Sequence, residues 1–279
     1  MSDMARSQKA RRLKVGRPRG AAPQAGHKGR LVKALIGLIA ATVVSAIAVY
    51  LFLALGPGGS TTGPKTAAIV DQLSLTQPNP TFAETATGIL EDAGYRVDYY
   101  PGEAVTVEFY RDLPTHGYDL LLLRVHSGLA RDYGEPTGYV SIFSGEAFSE
   151  TKYAQEKAAG LVGRASYYDG SPQVFGIVPD FIESSMRGRF DGATVVMLGC
   201  DGLITDVTAE AFVQKGAKTV VGWSGPVSAE HTDAAGEHLL RHLLVDELTT
   251  QGAVARTMAE VGPDPEYESV LRLYPPEGG

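Results

Sequence analysis

The chain has 279 residues and a net charge of −7, distributed unevenly: residues 1–33 sum to +9 and the remainder to −16. The acidic majority gives no basic surface for nucleic acid, and the single cysteine, Cys200, excludes an intrachain disulfide framework.

Ten Lys or Arg stand in residues 1–33, from Arg6 to Lys33, against one acid, Asp3. This arm is rich in Gly, Pro and Ala and has almost nothing to build a core, so it is expected to be disordered beside anionic lipid head groups. A basic arm can also bind nucleic acid, but the apolar run beside it favours lipid. Residues 34–55 carry no charge, and only Thr42, Ser45 and Tyr50 interrupt that run. Twenty-two such residues suffice to cross a hydrocarbon core of about 30 Å as a helix. Lys33 and Tyr50 stand near the ends, where a snorkelling cation and an amphipathic ring are stable. A cleaved signal peptide is the competing reading, with Ala54-Leu55-Gly56 as its cleavage site. The run exceeds the 7–15 residues of a signal core, and Pro57 comes directly after the site. Arg11-Arg12 lies far upstream for a twin-arginine signal. The positive-inside rule keeps the arm cytoplasmic and translocates the rest, predicting a single-pass protein of the cell membrane.

Residues 56–64 (GPGGSTTGP) read as a flexible linker. Residues 65–279 are expected to form one domain. Its predicted elements are a strand at 66–70 (TAAIV), a helix at 82–90 stopped by Gly94, and a strand at 96–100 (RVDYY). A continuous apolar strand at 120–125 (LLLLRV) runs into His126, as buried parallel strands do. Residues 130–178 read as a long, Gly-rich insertion with one hairpin arm at 139–143. Regular elements resume with a strand at 194–198 (TVVML), a helix at 209–215, a strand at 219–223 (TVVGW), helices at 230–248 and 253–261, and a strand at 269–274. Strands alternating with helices predict an α/β fold with a mainly parallel sheet and helices on both faces.

His126 and Cys200 each stand just beyond the end of a buried strand at the entry to a glycine-containing turn, where open α/β sheets bind ligands. If the two strands are neighbours, a thiol and an imidazole face one crevice. A nearby His can promote the nucleophilic thiolate and later protonate the leaving group. Gly128 and Gly202 let the backbone approach a substrate, and N–H groups at such turns can hold an oxyanion. A buried cysteine that merely packs is the alternative.

The blocks 120–128 (LLLLRVHSG) and 195–202 (VVMLGCDG) resemble those of the caspase-like superfamily of cysteine peptidases, which includes caspases, metacaspases, legumain, clostripain, gingipains, separase and CHAT domains. In these a hydrophobic strand ends in the catalytic His, and the next core strand ends in the nucleophilic Cys. The segment 212–222 (FVQKGAKTVVG) and the helices and strand after it are also similar to the bacterial members. Ser127 stands where the family usually carries Gly directly after the His, with Gly128 one place later. The resemblance implies a three-layer α/β sandwich that hydrolyses peptide bonds in a peptide or protein substrate without cofactor or metal. Cys200 is then the nucleophile, His126 the acid/base, and Gly128 and Cys200 the oxyanion donors. Asp71, Asp201 and Trp223 are candidates for the substrate pocket, with core packing as the competing role for Trp223; Arg124, also near a strand end, is a candidate for setting specificity, with a structural ion pair as its preferred role. A catalytically silent copy of the fold, acting as a binding or sensing module, is the alternative function.

Other constellations are weaker. His238 and His242 share a helical face, but Glu237 precedes the first His, so the zincin signature is absent and a solvated face is expected. A glutamine amidotransferase elbow wants Gly two residues before the Cys, where Leu198 stands, and a His after it, for which His231 is a poor fit. His116 lies in a polar loop.

Overall fold

In a computed structural model of the chain, residues 63–132 and 134–276 are described. The arm at 1–33, the span at 34–55 and linker residues 56–62 lie outside them. Among the described residues no helix is long and apolar enough to cross a membrane.

Strand β1 (Lys65–Asp71) is buried from Ala67 onward. A single 3-10 turn, Gln72–Leu75, leads towards helix α1 (Pro80–Asp92). Asn79 caps that helix, its side chain accepting from the Phe82 N–H at 3.1 Å, and Pro80 occupies the first turn, where no N–H is required. Phe82, Ala86, Ile89 and Leu90 recur at helical spacing and are buried. Strand β2 (Tyr95–Pro101) and helix α2 (Val107–Asp112) precede β3 (Leu120–Arg124), which is buried throughout. Burial of each of its leucines contributes about 2 kcal/mol.

The stretch expected to be an irregular insertion is instead ordered around a second sheet. It comprises β4 (Ser127–Asp132), β5 (Glu135–Ala147), helix α3 (Ala154–Ala158), β6 (Val162–Ser166), β7 (Gln173–Ile177) and helix α4 (Pro179–Ser184). The strands run in the order β4-β5-β7-β6, all antiparallel. β5 alternates, burying Val140, Ile142 and Ser144 while the residues between them stay partly open.

The remaining elements are β8 (Thr194–Met197), α5 (Val207–Gln214), β9 (Thr219–Trp223), α6 (Ala229–Leu244), α7 (Thr250–Val261) and β10 (Leu271–Tyr274). The main sheet has the order β10-β9-β8-β3-β1-β2. All its pairings are parallel except β10 on β9. The fold is therefore α/β with a mixed, mostly parallel six-stranded sheet. On one face Ile69, Leu122, Val196 and Trp223 pack with α1, α6 and α7 through Phe82, Leu239 and Val254. On the other, Val70, Leu123 and Met197 pack with α2, α4, α5 and the second sheet through Tyr110, Phe181, Phe212 and Phe175. The chain moves from β1 outward to β2 and then returns to the far side of β1 as β3, a topological switch point of the kind at which such sheets bind ligands.

Candidate active site

Strands β3 and β8 are direct parallel neighbours, with Leu123 opposite Met197. His126 and Cys200 each lie three residues beyond that pair, so they emerge level at the same edge of the sheet. A cleft of about 370 Å³ opens there, lined by both residues together with Gln77, Ser228, Glu230 and Tyr267. A second, larger groove of about 790 Å³ runs along the antiparallel sheet past Ser127, Gly128, Arg164 and Asp201. His126 and Cys200 are the two residues common to both linings.

The turn carrying Cys200 is shaped by a close backbone crossing. A Cβ added at Gly199 would lie 2.1 Å from the Val125 carbonyl oxygen and 2.3 Å from Ser127 Oγ. Only glycine fits between the ends of β3 and β8. The Ser127 hydroxyl donates to the Cys200 carbonyl at 2.6 Å, tying the residue after His126 to the Cys200 backbone. Asp201 comes next, in the left-handed region at φ 63°, a conformation Asp tolerates better than most residues.

His126 is held from several sides. Its backbone N–H donates to Gln72 Oε1 at 2.8 Å, and Gln72 Nε2 donates in turn to the Tyr167 hydroxyl at 2.9 Å. The Tyr167 ring lies 4.6 Å from the imidazole, centre to centre. Nε2 shares a hydrogen bond of 2.7 Å with Thr76 Oγ1. Nδ1 has no hydrogen-bond partner among the described residues. Sequence alone does not single out Gln72, Thr76 and Tyr167. The one available signal is that Gln72 directly follows β1, the strand beside β3.

Cys200 Sγ donates to the Val227 carbonyl and accepts from the Val227 N–H, both at 3.5 Å. No hydrogen bond joins it to His126 among the described residues. Burial, opposed in part by the Val227 backbone and reinforced by Asp201 and Asp264, pushes the thiol above its ordinary pKa. Burial, with the Arg124 cation adding to it, lowers His126 to about 4. Both shifts favour the uncharged pair.

The expected oxyanion donors divide. The His126 carbonyl accepts from Phe143 N at 2.9 Å, and Gly128 stands opposite Ser141 in the same register. Bonded pairs alternate along an antiparallel ladder, so the Gly128 N–H is directed at Ser141 and away from the cleft. The Leu129 and Val140 N–H groups, in the intervening pair, point outward to Asp201 Oδ2 and Thr208 Oγ1 as this alternation requires. The Cys200 N–H lies beyond the ends of β3 and β8 and has no carbonyl partner among the described residues.

None of the three pocket candidates lines the smaller cleft, and two of them line neither cavity. Asp71 is 2 % exposed and engaged by Arg124 Nη1 at 2.7 Å and by the Tyr99 hydroxyl at 2.8 Å. Trp223 is fully buried, and its Nε1 donates to Thr232 Oγ1 at 2.8 Å, which passes a bond on to the Leu198 carbonyl at 2.9 Å. It is a core residue that steadies the turn before Cys200. Arg124 takes the ion-pairing role expected of it, forked onto Asp233 through Nε at 2.6 Å and Nη2 at 2.8 Å. Asp201 does line the larger groove, and its Oδ1 has no partner among the described residues. Burial raises its pKa, opposed by the Leu129 N–H.

A scan against protein-family models finds no match to the chain, and a search of curated proteins finds no relative of it.

Proposed function

We propose that the chain is a membrane-anchored, caspase-like cysteine peptidase, with Cys200 as nucleophile and His126 as general base and then acid. The observation that carries this reading is that the His and the Cys, level on adjacent strands, are shared by two cavities. An extended peptide laid from one cavity into the other passes its backbone over both side chains. The reading includes the three-layer caspase-like form of the α/β fold, a transmembrane helix at 34–55 and an extracytoplasmic domain. Those last features rest on the sequence.

In the proposed reaction His126 Nδ1 takes the thiol proton as Cys200 Sγ attacks the scissile carbonyl carbon. The carbonyl oxygen gains negative charge and is stabilised by the Cys200 N–H. Collapse breaks the C–N bond, the imidazolium protonates the departing amine, and a thioester remains. His126 then deprotonates a water that attacks the thioester, releasing the carboxyl product and restoring the thiol. A depressed His126 pKa makes its neutral form dominant at rest and its imidazolium a strong acid towards the amine.

The uncharged resting pair favours one other reading, a silent copy of the fold that binds peptides without cleaving them. A library of peptides with basic, acidic and small residues before the scissile bond separates the two. The enzyme reading expects cleavage that is lost in both Cys200→Ala and His126→Ala. Binding without cleavage by the unaltered chain would favour the silent module.

A further inference from the structure

The two histidines on α6 meet a third potential ligand that their own spacing does not reveal. His238 Nδ1 lies 3.0 Å and His242 Nε2 3.1 Å from one oxygen, Oε2 of Glu260 on α7. One ligand atom from each of the three residues falls within 4.8 Å of the other two. The carboxylate is pre-set: Arg256 Nε holds the other oxygen, Oε1, at 2.7 Å. The second nitrogen of His242, Nδ1, contacts Asp246 Oδ2 at 2.7 Å.

This arrangement asks for a cation. His242 faces a carboxylate oxygen at both ring nitrogens, and a neutral imidazole has one N–H and one lone pair. If Nδ1–H donates to Asp246, the Nε2 lone pair points at the lone pairs of Glu260 Oε2. Either a second proton or a metal ion must lie between them. The spacing suits the metal. Zinc–nitrogen and zinc–oxygen bonds of about 2.1 Å put neighbouring tetrahedral ligands about 3.4 Å apart. The observed 3.0 and 3.1 Å need only a few tenths of an ångström of opening. A ligating His whose far nitrogen donates to a carboxylate is also the usual outer arrangement of a zinc site, and Asp246 supplies it. His242 is buried while His238 and Glu260 are partly open, which leaves a fourth position for water.

We propose that His238, His242 and Glu260 bind a divalent metal ion of the zinc class, clipping α6 to α7 with Asp246 orienting His242. The proposal is independent of the reading of Cys200, and it replaces the solvated helix face expected for the two histidines.

The test uses the full chain, stripped with chelator and titrated with ZnCl2 against a chromophoric competitor, with CoCl2 as a spectroscopic probe. The expected result is one saturable ion per chain, tetrahedral cobalt absorption, and a Tm rise of about 5–10 °C at a hundredfold excess over Kd. His242→Ala and Glu260→Gln should abolish all three. Asp246→Asn should weaken binding about 10- to 100-fold and keep the cobalt spectrum. Cys200→Ala should leave the stoichiometry at one, separating this site from the thiol. Helix content of the unliganded variants, by circular dichroism, shows whether a loss reflects unfolding; His238→Gln supplies a milder ligand deletion if His242→Ala does not fold. Failure to bind one equivalent, or binding unaltered in the ligand variants, would show that a proton fills the cluster and overturn the proposal.

Discussion

Replacing Arg124 with Met would remove a cation that three partners share in the interior. Its guanidinium bonds Asp71 at 2.7 Å, Asp233 at 2.6 and 2.8 Å, and the Gln77 carbonyl at 2.8 Å. Asp71 and Asp233 are 2 % and 4 % exposed, so neither can recover the lost interaction from water. Breaking a buried pair by removing one partner costs about 3–5 kcal/mol. For a domain of this size each kcal/mol moves Tm by about 2–4 °C, so Arg124→Met should lower Tm by roughly 6–20 °C. Scanning calorimetry and urea unfolding of the full chain both read that loss. Neutralising the stranded acids in the triple variant with Asp71→Asn and Asp233→Asn should recover most of it, since the penalty comes from unpaired charge. The same network fixes the chain between β1 and α1, which presents Gln72 and Thr76 to His126. Turnover should therefore fall in Arg124→Met even at temperatures where the variant is folded. A loss below about 1 kcal/mol, the range of an exposed ion pair, would refute the reasoning.

Gly199→Ala forces a Cβ to 2.1 Å from a backbone oxygen, and the expected cost is about 3 kcal/mol together with loss of activity; wild-type stability would mean that the ends of β3 and β8 can part freely. His126 titrates near 4 in the fold and near its ordinary 6.5 when unfolded, so the unfolded chain binds more protons between those values. Its contribution, up to about 3 kcal/mol, is complete above pH 6.5 and is lost as pH falls towards 4. In His126→Asn the stability–pH curve should flatten across that window, and an unchanged slope would contradict the assignment. Because burial raises the Cys200 thiol, haloacetamide labelling at pH 7 should be slower than that of a free thiol and should accelerate in alkali; faster labelling would indicate a resting thiolate.

What residues alone disclose depends on how much physics each segment carries by itself. The strand at Leu120–Arg124 announces itself as an apolar run too short for a helix, and its end fixes where His126 emerges. The same holds for Thr194–Met197 and Cys200. The second sheet is legible only at 139–143, inside β5, because its other strands hold Gly, Ser and charged residues and their pairing is settled by partners far along the chain. Asp71 illustrates a different loss. A carboxylate at a strand end reads the same whether it faces substrate or a buried guanidinium, and Arg124 decides the matter through tertiary contact. Gly128 is legible as a strand-end residue, but the direction of its N–H depends on ladder alternation with Ser141, which needs the register of β5. The pairing of Glu260 with the two α6 histidines likewise needs the packing of α7 against α6.

The central claim, that Cys200 attacks a peptide carbonyl with His126 moving the proton, is tested most directly by catching the thioester. The full chain would be mixed with a peptide that it cleaves, quenched in acid within the turnover time and weighed intact. The account predicts a single acyl adduct on Cys200 that hydroxylamine releases, that is absent in Cys200→Ala, and that forms far more slowly in His126→Ala. Cleavage that persists in Cys200→Ala, or an unaltered chain that neither cleaves any library peptide nor forms an adduct, would contradict it.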